Sequence, residues 1–272
     1  MVSGYHSIIF NGVNTWDEWN LVPTSRPVFA PPALKEHIID IPGRDGNIDL
    51  SEALTKYPVY KNREGSFEFI VVNDTYVQAT KHEQWYKTYS KIMEFLHGQK
   101  MTAVLEDDLN YQYEGRFYVN NWKSEEKYSK IVIDYSVNPY KWDIFSVMDN
   151  WLWDPFNFET GVVSTFFFKD LNLTGAETTV TYKPEYYGKA PVSPKFHIAT
   201  STKSGIIIHF INSYLGIDVT QQLIDGEHIS PDIVFYGPLG VTLTMKAVKV
   251  DSNATDDSVT GKVSIDFRKG KL

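Results

Sequence analysis

The stretch Asp40-Ile41-Pro42-Gly43-Arg44-Asp45-Gly46-Asn47-Ile48-Asp49-Leu50 combines turn-forming residues with flanking apolar residues. Asp45-Gly46 is a tight-turn pair, and Ile48 and Leu50 alternate after it, so the pattern predicts strand, compact turn, strand. Two interpretations are open. In the first, the segment is a hairpin turn that merely exposes Arg44 and its acidic neighbours. In the second, a rigid tip holds Arg44 and Asp45 for pairing with a neighbouring subunit, because arginine favours planar, bidentate interface contacts.

The composition indicates two mainly β domains. The chain has 272 residues, which suits two domains better than one, and its 17 Tyr, 16 Phe and 7 Trp favour strands. It contains no cysteine, which excludes disulfide bonds, cysteine-ligated zinc and thiol catalysis.

Charge and hydropathy argue against two classes of partner. The 34 acidic and 26 basic residues give a formal net charge of −8, whereas nucleic-acid binding needs a basic surface. The first residues lack the pattern of a signal peptide, and no apolar run approaches the roughly 20 residues that a membrane span needs. We therefore expect neither sequence-specific nucleic-acid binding nor a membrane span.

Residues 5–140 predict an α+β domain with a single helix. Asn11-Gly12 between apolar residues predicts a hairpin. Residues 21–32 contain four prolines, which predicts an extended arm or loop anchored by Val28 and Phe29. The helix is expected over residues 81–97, with Thr80 and Glu83 as its capping box and Gly98 just past its end. Strands are expected at residues 67–71, 101–105, 111–119 and 128–137.

The second half of the chain predicts a two-sheet β-sandwich. Val241, Leu243 and Met245 alternate with threonines, and turn sequences separate the strands at regular spacing. An aromatic cluster in residues 141–155 marks the domain boundary. We therefore expect an N-terminal domain at residues 1–143 and a C-terminal domain at residues 144–272.

The motif at residues 40–46 resembles the "DIPGRDG" signature of the distal tail protein (Dit) family of long-tailed phages and prophages. The order of hairpin, arm, motif, strand, helix, hairpin and strand also resembles the N-terminal ring domain of that family over residues 5–140. The ending at residues 261–272 resembles the "VSIDYRGGSL"-type closing strand of Dit C-terminal domains, with Phe267 in place of Tyr and Lys269 and Lys271 in place of Gly and Ser. This resemblance implies a galectin-like jelly roll whose last strand can return toward the ring domain.

The resemblance implies a structural tail-tip protein of the virion that is made in the bacterial cytoplasm and is not an enzyme. Its N-terminal domains would form a hexameric ring between the major tail tube protein and the tail-associated lysin or hub protein. Its C-terminal domains would carry receptor-binding proteins or contact host glycans. The candidate inter-subunit residues are Val28, Phe29, Arg44, Asp45, Asp49, Tyr111 and Tyr113.

Motifs for catalysis, cofactors or metals are missing from the sequence. There is no phosphate-binding loop and no nucleophile elbow, and Tyr86 stands where a zinc-binding helix starting at His82-Glu83 would need its second histidine. We predict no catalytic, cofactor or metal site. The carboxylates Glu106, Asp107 and Asp108 lie at a predicted turn.

A carbohydrate-binding module that recognises cell-wall glycans is the alternative function. Sugars stack on exposed aromatic rings, and the candidates are Trp151, Trp153, Tyr186 and Tyr187. Core or interface packing is the other interpretation of the same four residues, and it is the one that we favour.

Overall fold

The computed structural model describes residues 4–72, 78–124, 129–146, 156–157, 162–163, 170–200, 204–249 and 259–272. The chain forms two compact units, Met1–Lys141 with Leu272 and Trp142–Lys271. Antiparallel strands dominate both units, which confirms the prediction of a mainly β protein.

One large antiparallel sheet organises the N-terminal unit. Its elements are β1 (Ile8–Phe10), β2 (Val13–Asn14), α1 (Thr15–Trp19), β3 (Leu21–Pro23), β4 (Ile38–Ile39), β5 (Ile48–Asp49), β6 (Arg63–Val71), α2 (Gln78–Leu96), β7 (Lys100–Leu105), β8 (Tyr111–Ser124) and β9 (Ser129–Val137). Seven strands pair in the order β2-β1-β7-β8-β9-β6-β3, and β4 and β5 form a separate two-stranded sheet. The four predicted strands of this unit are confirmed, although β8 continues five residues beyond its predicted end at residue 119.

The predicted Asn11-Gly12 hairpin is confirmed. Asn11 and Gly12 have φ angles of 46° and 86°, as a two-residue turn with both central residues in the left-handed region requires. The Asn11 side chain also accepts a 2.8 Å hydrogen bond from the backbone N–H of Thr102. The turn therefore ties the β1–β2 hairpin to β7.

The long helix α2 is confirmed, but its predicted start is wrong. It begins at Gln78, so Thr80 lies inside the helix and cannot act as its N-cap. Gln78 and Ala79 favour helix and extend it toward the N-terminus. At the other end the helix stops at Leu96, and Gly98 adopts a φ of 74°. Ile92 and Leu96 are completely buried in the core of the unit.

Two short helices were not predicted, α1 and α3 (Pro184–Tyr187). The Asn14 side chain caps α1 by accepting a 2.8 Å hydrogen bond from the backbone N–H of Trp16, and Asn20 ends the helix with a φ of 52°. Helices of this length show too little periodicity to be recognised in a sequence.

The C-terminal unit contains the predicted sandwich. Its strands are β10 (Lys141–Asp143), β11 (Phe156–Asn157), β12 (Val162–Val163), β13 (Leu171–Leu173), β14 (Thr178–Tyr182), β15 (Lys195–Thr200), β16 (Ser204–Asn212), β17 (Ile217–Leu223), β18 (Gly226–Ile229), β19 (Val241–Lys249), β20 (Gly261–Asp266) and β21 (Gly270–Lys271). One sheet has the order β13-β20-β15-β18 and the other β14-β19-β16-β17. Side chains from both sheets, including Phe196 and Phe210, form one core with Phe235.

Candidate assembly surface

The signature stretch forms a hairpin, but its turn is longer than predicted. β4 and β5 pair Ile38 with Asp49 and Ile39 with Ile48, which leaves residues 40–47 as the connection. Pro42 cannot donate a ladder hydrogen bond, and Gly43 and Gly46 adopt φ angles of 83° and 75°. These residues prevent the strands from reaching the Asp45-Gly46 pair, so the predicted compact turn is replaced by an eight-residue loop.

Asp49 fixes the base of this hairpin from within the chain. Its carboxylate accepts a 2.9 Å hydrogen bond from the backbone N–H of Ser51, and the Ser51 hydroxyl accepts one of 2.8 Å from the backbone N–H of His37. Hydrogen bonding by Ser51 lowers the pKa of Asp49 from its usual value. Asp49 therefore stabilises the hairpin whether or not a neighbouring copy is bound.

The other two charged candidates in the motif point outward. Arg44 and Asp45 are both exposed. The backbone N–H of Arg44 donates to the carbonyl of Ile41 at 3.1 Å, but neither side chain pairs with any residue that the structure describes. Both are available for a contact outside their own chain.

The hairpin also exposes a set of large apolar side chains. We call residues 36–54 the tip hairpin. Its exposed apolar residues are Ile38, Ile39, Ile41, Leu50 and Leu54, of which Leu54 is 97% exposed. Single exposed apolar residues are common, but five in one short segment make the hairpin a candidate interaction surface.

The proline-rich arm at residues 21–32 behaves differently, because its aromatic residue is buried in its own unit. Phe29 is only 3% exposed, whereas Val28 is 70% exposed. The Phe29 ring lies 4.0 Å from the ring of Tyr113, 4.8 Å from Tyr135 and 5.1 Å from Phe67, measured between centroids. We call Phe67, Tyr113 and Tyr135 the aromatic box. The structure thus brings two candidates, Phe29 and Tyr113, together in the core.

Two residues that the sequence did not reveal hold the arm against this box. The backbone N–H of Ala30 donates to the Tyr135 hydroxyl at 2.8 Å. The Arg63 guanidinium donates to the carbonyl of Ala30 at 3.0 Å and to that of Pro139 at 2.8 Å. Burial lowers the pKa of Arg63 from its usual value. A buried arginine that binds two carbonyls fixes the direction of the chain as it leaves the arm.

The only sequence signal for the Tyr135 contact is the glycine opposite it. Gly65 pairs with Tyr135 across β6 and β9, and a Cβ at Gly65 would lie 2.5 Å from the Tyr135 hydroxyl. A side chain at this position would push the hydroxyl away from Ala30. Gly65 therefore allows the close approach on which the arm contact depends.

The remaining candidate of this unit, Tyr111, is half-buried at the start of β8. The Lys141 ammonium lies 4.5 Å from the centroid of its ring and pairs with Asp108. The ring is thus already used by a cation within the chain.

The three carboxylates at residues 106–108 occupy the predicted turn, and each has a partner. Glu106 accepts hydrogen bonds from the backbone N–H and hydroxyl of Ser7. Asp107 accepts from the Arg26 guanidinium at 2.8 Å and contacts His6 at 2.9 Å, and Asp108 binds Lys141. Hydrogen bonding by Arg26 is the largest cause that lowers the pKa of Asp107 to about 2. The group joins segments of the fold rather than forming an acid–base pair across a cleft.

The glycan-stacking candidates are distributed unevenly. Trp151 and Trp153 lie outside the described residues. The Tyr187 side chain is completely buried, its hydroxyl donates to the carbonyl of Gly237 at 2.9 Å, and burial raises its pKa to about 12. Tyr186 is half-buried and packs on the core of the C-terminal unit. The Tyr187 ring therefore offers no free face on which a sugar could stack.

A polar pocket of about 320 Å³ lies on one sheet of the C-terminal unit. Residues that line it include Asp170, His197, Glu227, Lys262 and Ser264. His197 Nδ1 lies 3.2 Å from the Glu227 carboxylate. In the described parts of the chain, no group of three or more side chains could hold a metal ion. No helix in those parts is suited to crossing a bilayer.

Among known proteins, the architecture of this chain has counterparts in solved structures. No protein-family model and no curated protein matches the chain. Solved structures do match, and the fold of the chain is that of a phage distal tail protein. One of them is SPP1 Dit (gp 19.1), whose crystal structure is described as a paradigm of hub adsorption apparatus in Gram-positive infecting phages. The match covers 98% of this chain and 99% of SPP1 Dit, with 14% sequence identity and a TM-score of 0.57.

Proposed function

We propose that the chain is a structural subunit of a phage tail hub and that its N-terminal units assemble into a hexameric ring at the tail tip. The observation that carries this proposal is the likeness to SPP1 Dit over both units and almost the full length of each chain. One fold can host several functions, so we add an argument that is independent of the fold. The exposed apolar surface of the tip hairpin supports a role in assembly.

A closed ring needs two different surfaces on each subunit, since each copy contacts one neighbour on either side. The tip hairpin supplies one such surface, with exposed apolar residues and with Arg44 and Asp45, whose side chains pair with no residue in the described ranges. Val28 and Tyr111 are further contact candidates. Phe29, Tyr113 and Asp49 take a supporting role, because they fix the arm and the base of the hairpin.

In such a ring, residues 1–143 form the ring and residues 144–272 form a galectin-like sandwich at its periphery. We propose the major tail tube protein and a tail-associated lysin or hub protein as the partners at the two faces. Receptor-binding proteins or host glycans are the partners of the sandwich. The net charge of −8 would keep the ring from adhering to DNA that passes through it.

We assign no catalytic step to the chain. The carboxylates that lie closest together in sequence, Glu106, Asp107 and Asp108, are each engaged by a neighbouring segment. A general acid or base needs free access to a substrate proton, and these groups serve the fold instead.

Light scattering over a concentration series, with negative-stain images of large species, tests the ring. We expect a species of six chains with a central hole. Arg44→Ala should raise the concentration needed for half-assembly about tenfold, which corresponds to a loss of about 1.4 kcal/mol. Arg26→Ala is the matched control, because its carboxylate partner Asp107 lies in the same chain. An unchanged hexamer fraction in the Arg44 variant would contradict the proposed contact, and large species without a hole would contradict the ring.

Glycan binding by the C-terminal unit is the second candidate function, and the polar pocket is the observation that favours it. Carboxylate, imidazole, ammonium and hydroxyl groups together can bind several sugar hydroxyls. The Lys195 ammonium lowers the pKa of Glu227 and so favours its charged, hydrogen-bond-accepting form. A glycan array probed with the full chain and with His197→Ala tests this function. Binding that is equal in both proteins would remove the pocket from consideration.

A further inference from the structure

A histidine side chain joins the end of α2 to strand β8. The backbone N–H of Val119 donates to Nδ1 of His97 at 3.1 Å. A backbone nitrogen can only donate, so Nδ1 must be the acceptor, and an imidazole nitrogen accepts only while it carries no proton. The His97 ring in this structure is therefore neutral, with its proton on Nε2.

The register of the sheet explains why a side chain takes this place. β7 and β8 pair as far as Lys100 with Arg116, and the same register continued by three residues would set residue 97 opposite Val119. Residue 97 instead belongs to the end of α2, where the backbone N–H of His97 donates to the carbonyl of Met93 at 3.1 Å. The imidazole thus accepts the hydrogen bond that a carbonyl of a longer β7 would accept.

The Val119 amide lies immediately before a bulge in β8. The register of β8 on β9 shifts by one residue between Val119 and Asn121, so Asn120 is an extra residue. Because of this extra residue, Trp122 lies on the same face of the sheet as Val119. There its ring lies 5.0 Å from the ring of Tyr89 on α2, measured between centroids. The hydrogen bond to the histidine therefore holds β8 next to the point that decides which face Trp122 occupies.

Protonation of His97 would exchange Val119 for a different partner. An imidazolium carries a proton on both nitrogens and cannot accept from the Val119 amide. The last carbonyls of a helix lie at the negative end of its macrodipole and accept hydrogen bonds from such a cation. Histidine is the side chain whose charge ordinarily changes between about pH 5 and 8, and His97 is exposed to solvent. The two protonation states therefore favour different contacts.

The charged groups around the ring have both signs. On α2, Glu94 is exposed one turn before His97 and favours the imidazolium. On β8, the Arg116 guanidinium donates to the carbonyl of the residue after His97 at 2.8 Å, and Lys100 is exposed at the start of β7. These two cations disfavour a further positive charge. The Tyr118 ring lies 6.0 Å from the imidazole, measured between centroids. Neither protonation state is thus excluded by its neighbours.

We propose that His97 is a pH-sensitive switch in the N-terminal unit. The neutral ring ties the end of α2 to β8 before the bulge, and the protonated ring releases Val119 and turns toward the end of the helix. The release loosens the part of β8 that carries Trp122, so its contact with Tyr89 weakens as the pH falls. This inference goes beyond the proposed assembly role and does not depend on it, because every group involved lies in one unit of one chain.

Hydrogen exchange resolved to single amides tests the switch. Between pH 8 and pH 5, the protection of the Val119 amide, corrected for the intrinsic exchange rate, should fall at least fivefold. The Asn138 amide is the internal control, because it donates to the backbone carbonyl of Glu114, near the other end of β8, at 2.8 Å. Its protection should change less than twofold. Equal protection of Val119 at both pH values would overturn the proposal.

Two variants of His97 separate the effect of the proton from that of packing. Glutamine offers an acceptor that cannot be protonated, so the pH dependence of Val119 protection should disappear in His97→Gln. His97→Ala removes the acceptor and should leave the amide weakly protected at both pH values. If His97→Ala does not fold, the natural chain and His97→Gln still decide the question. A fivefold pH dependence that persists in His97→Gln would overturn the proposal.

Fluorescence tests the second step, in which the surroundings of Trp122 change. Subtracting the spectrum of Trp122→Phe from that of the natural chain isolates the emission of Trp122 among the seven tryptophans. Between pH 8 and pH 5 its maximum should shift to longer wavelength, and the shift should be absent when both proteins also carry His97→Gln. An emission maximum that stays constant while the Val119 amide loses protection would overturn the coupling to Trp122.

Discussion

The proline-rich arm and the tip hairpin follow each other in the chain and share a turn-rich composition, yet they use their apolar residues in opposite ways. The arm buries Phe29 in the aromatic box and ties Ala30 to Tyr135 and Arg63. The tip hairpin leaves five large apolar side chains exposed. The arm is therefore held by its own unit, whereas the large apolar side chains of the hairpin remain exposed.

This difference distinguishes two roles that an apolar residue can have in an irregular segment. It can pack in the core of its own unit, or it can remain exposed for contact with another molecule. Phe29 packs against the three rings of the aromatic box, and Ala30 is hydrogen-bonded to Tyr135 and Arg63, so the role of this part of the arm is stability. Leu54 is almost fully exposed, so its side chain contributes little to the stability of the unit. Substitution of a buried residue of the arm should therefore lower the free energy of unfolding more than substitution of an exposed residue of the hairpin.

The largest expected effect is that of Phe29→Ala. Removing a buried aromatic ring leaves a cavity in the aromatic box, and we expect the free energy of unfolding to fall by about 3 kcal/mol. Urea denaturation measures this loss, with peptide-level hydrogen exchange assigning it to the N-terminal unit. Val28→Ala is the control and should change it by less than about 0.5 kcal/mol, because Val28 is 70% exposed. Equal losses in the two variants would break the distinction between the buried and exposed sides of the arm.

A smaller effect is expected from acid, through the ion pair that fixes the start of the arm. The pKa of Asp107 is lowered to about 2 by Arg26 and His6. A lowered pKa in the folded state means that the stabilisation is complete above the unfolded value, near 4. It is lost as the pH falls through about 2. Because the groups are largely exposed, we expect no more than about 1 kcal/mol.

Urea midpoints at several values between pH 4 and pH 2 measure this dependence. Asp107→Asn should remove that part of the decline while leaving the rest of the acid sensitivity intact. A decline of the same steepness in the variant would show that Asp107 does not anchor the arm.

The smallest effect on stability is expected from Ile38→Thr in the tip hairpin. Threonine keeps the strand preference of β4, and Ile38 is 50% exposed, so the free energy of unfolding should change by less than about 0.5 kcal/mol. Self-association measured by light scattering should weaken, because the proposed contact loses apolar area. A stability loss approaching that of Phe29→Ala would mean that the hairpin is part of the core after all.

The fold could be predicted from the sequence where the signal was local or strictly periodic. Asn11-Gly12 specifies its own turn geometry, and the alternation in β6 and β9 specifies which face is buried. The start of α2 was misplaced because Thr80 and Glu83 form a plausible capping sequence within a helix that continues past it. Local patterns of capping do not reveal where neighbouring residues extend a helix.

The candidate site was only partly predictable. Arg44 and Asp45 were identified from the turn motif and are exposed, but the burial of Phe29 and Tyr113 depends on β6 and β9, which are distant in sequence. Long-range packing of this kind leaves no signal in a single sequence.

The large sheet of the N-terminal unit ends on both sides in very short strands. Its outermost strands are the two-residue β2 and the three-residue β3, which finishes at Pro23. Unpaired strand edges are templates on which further chains can add without limit, and short or proline-containing edges block this addition. Neighbouring copies held close together in a virion would therefore meet only through side-chain surfaces of defined extent. The sheet itself would therefore not extend from copy to copy into a fibre by strand pairing.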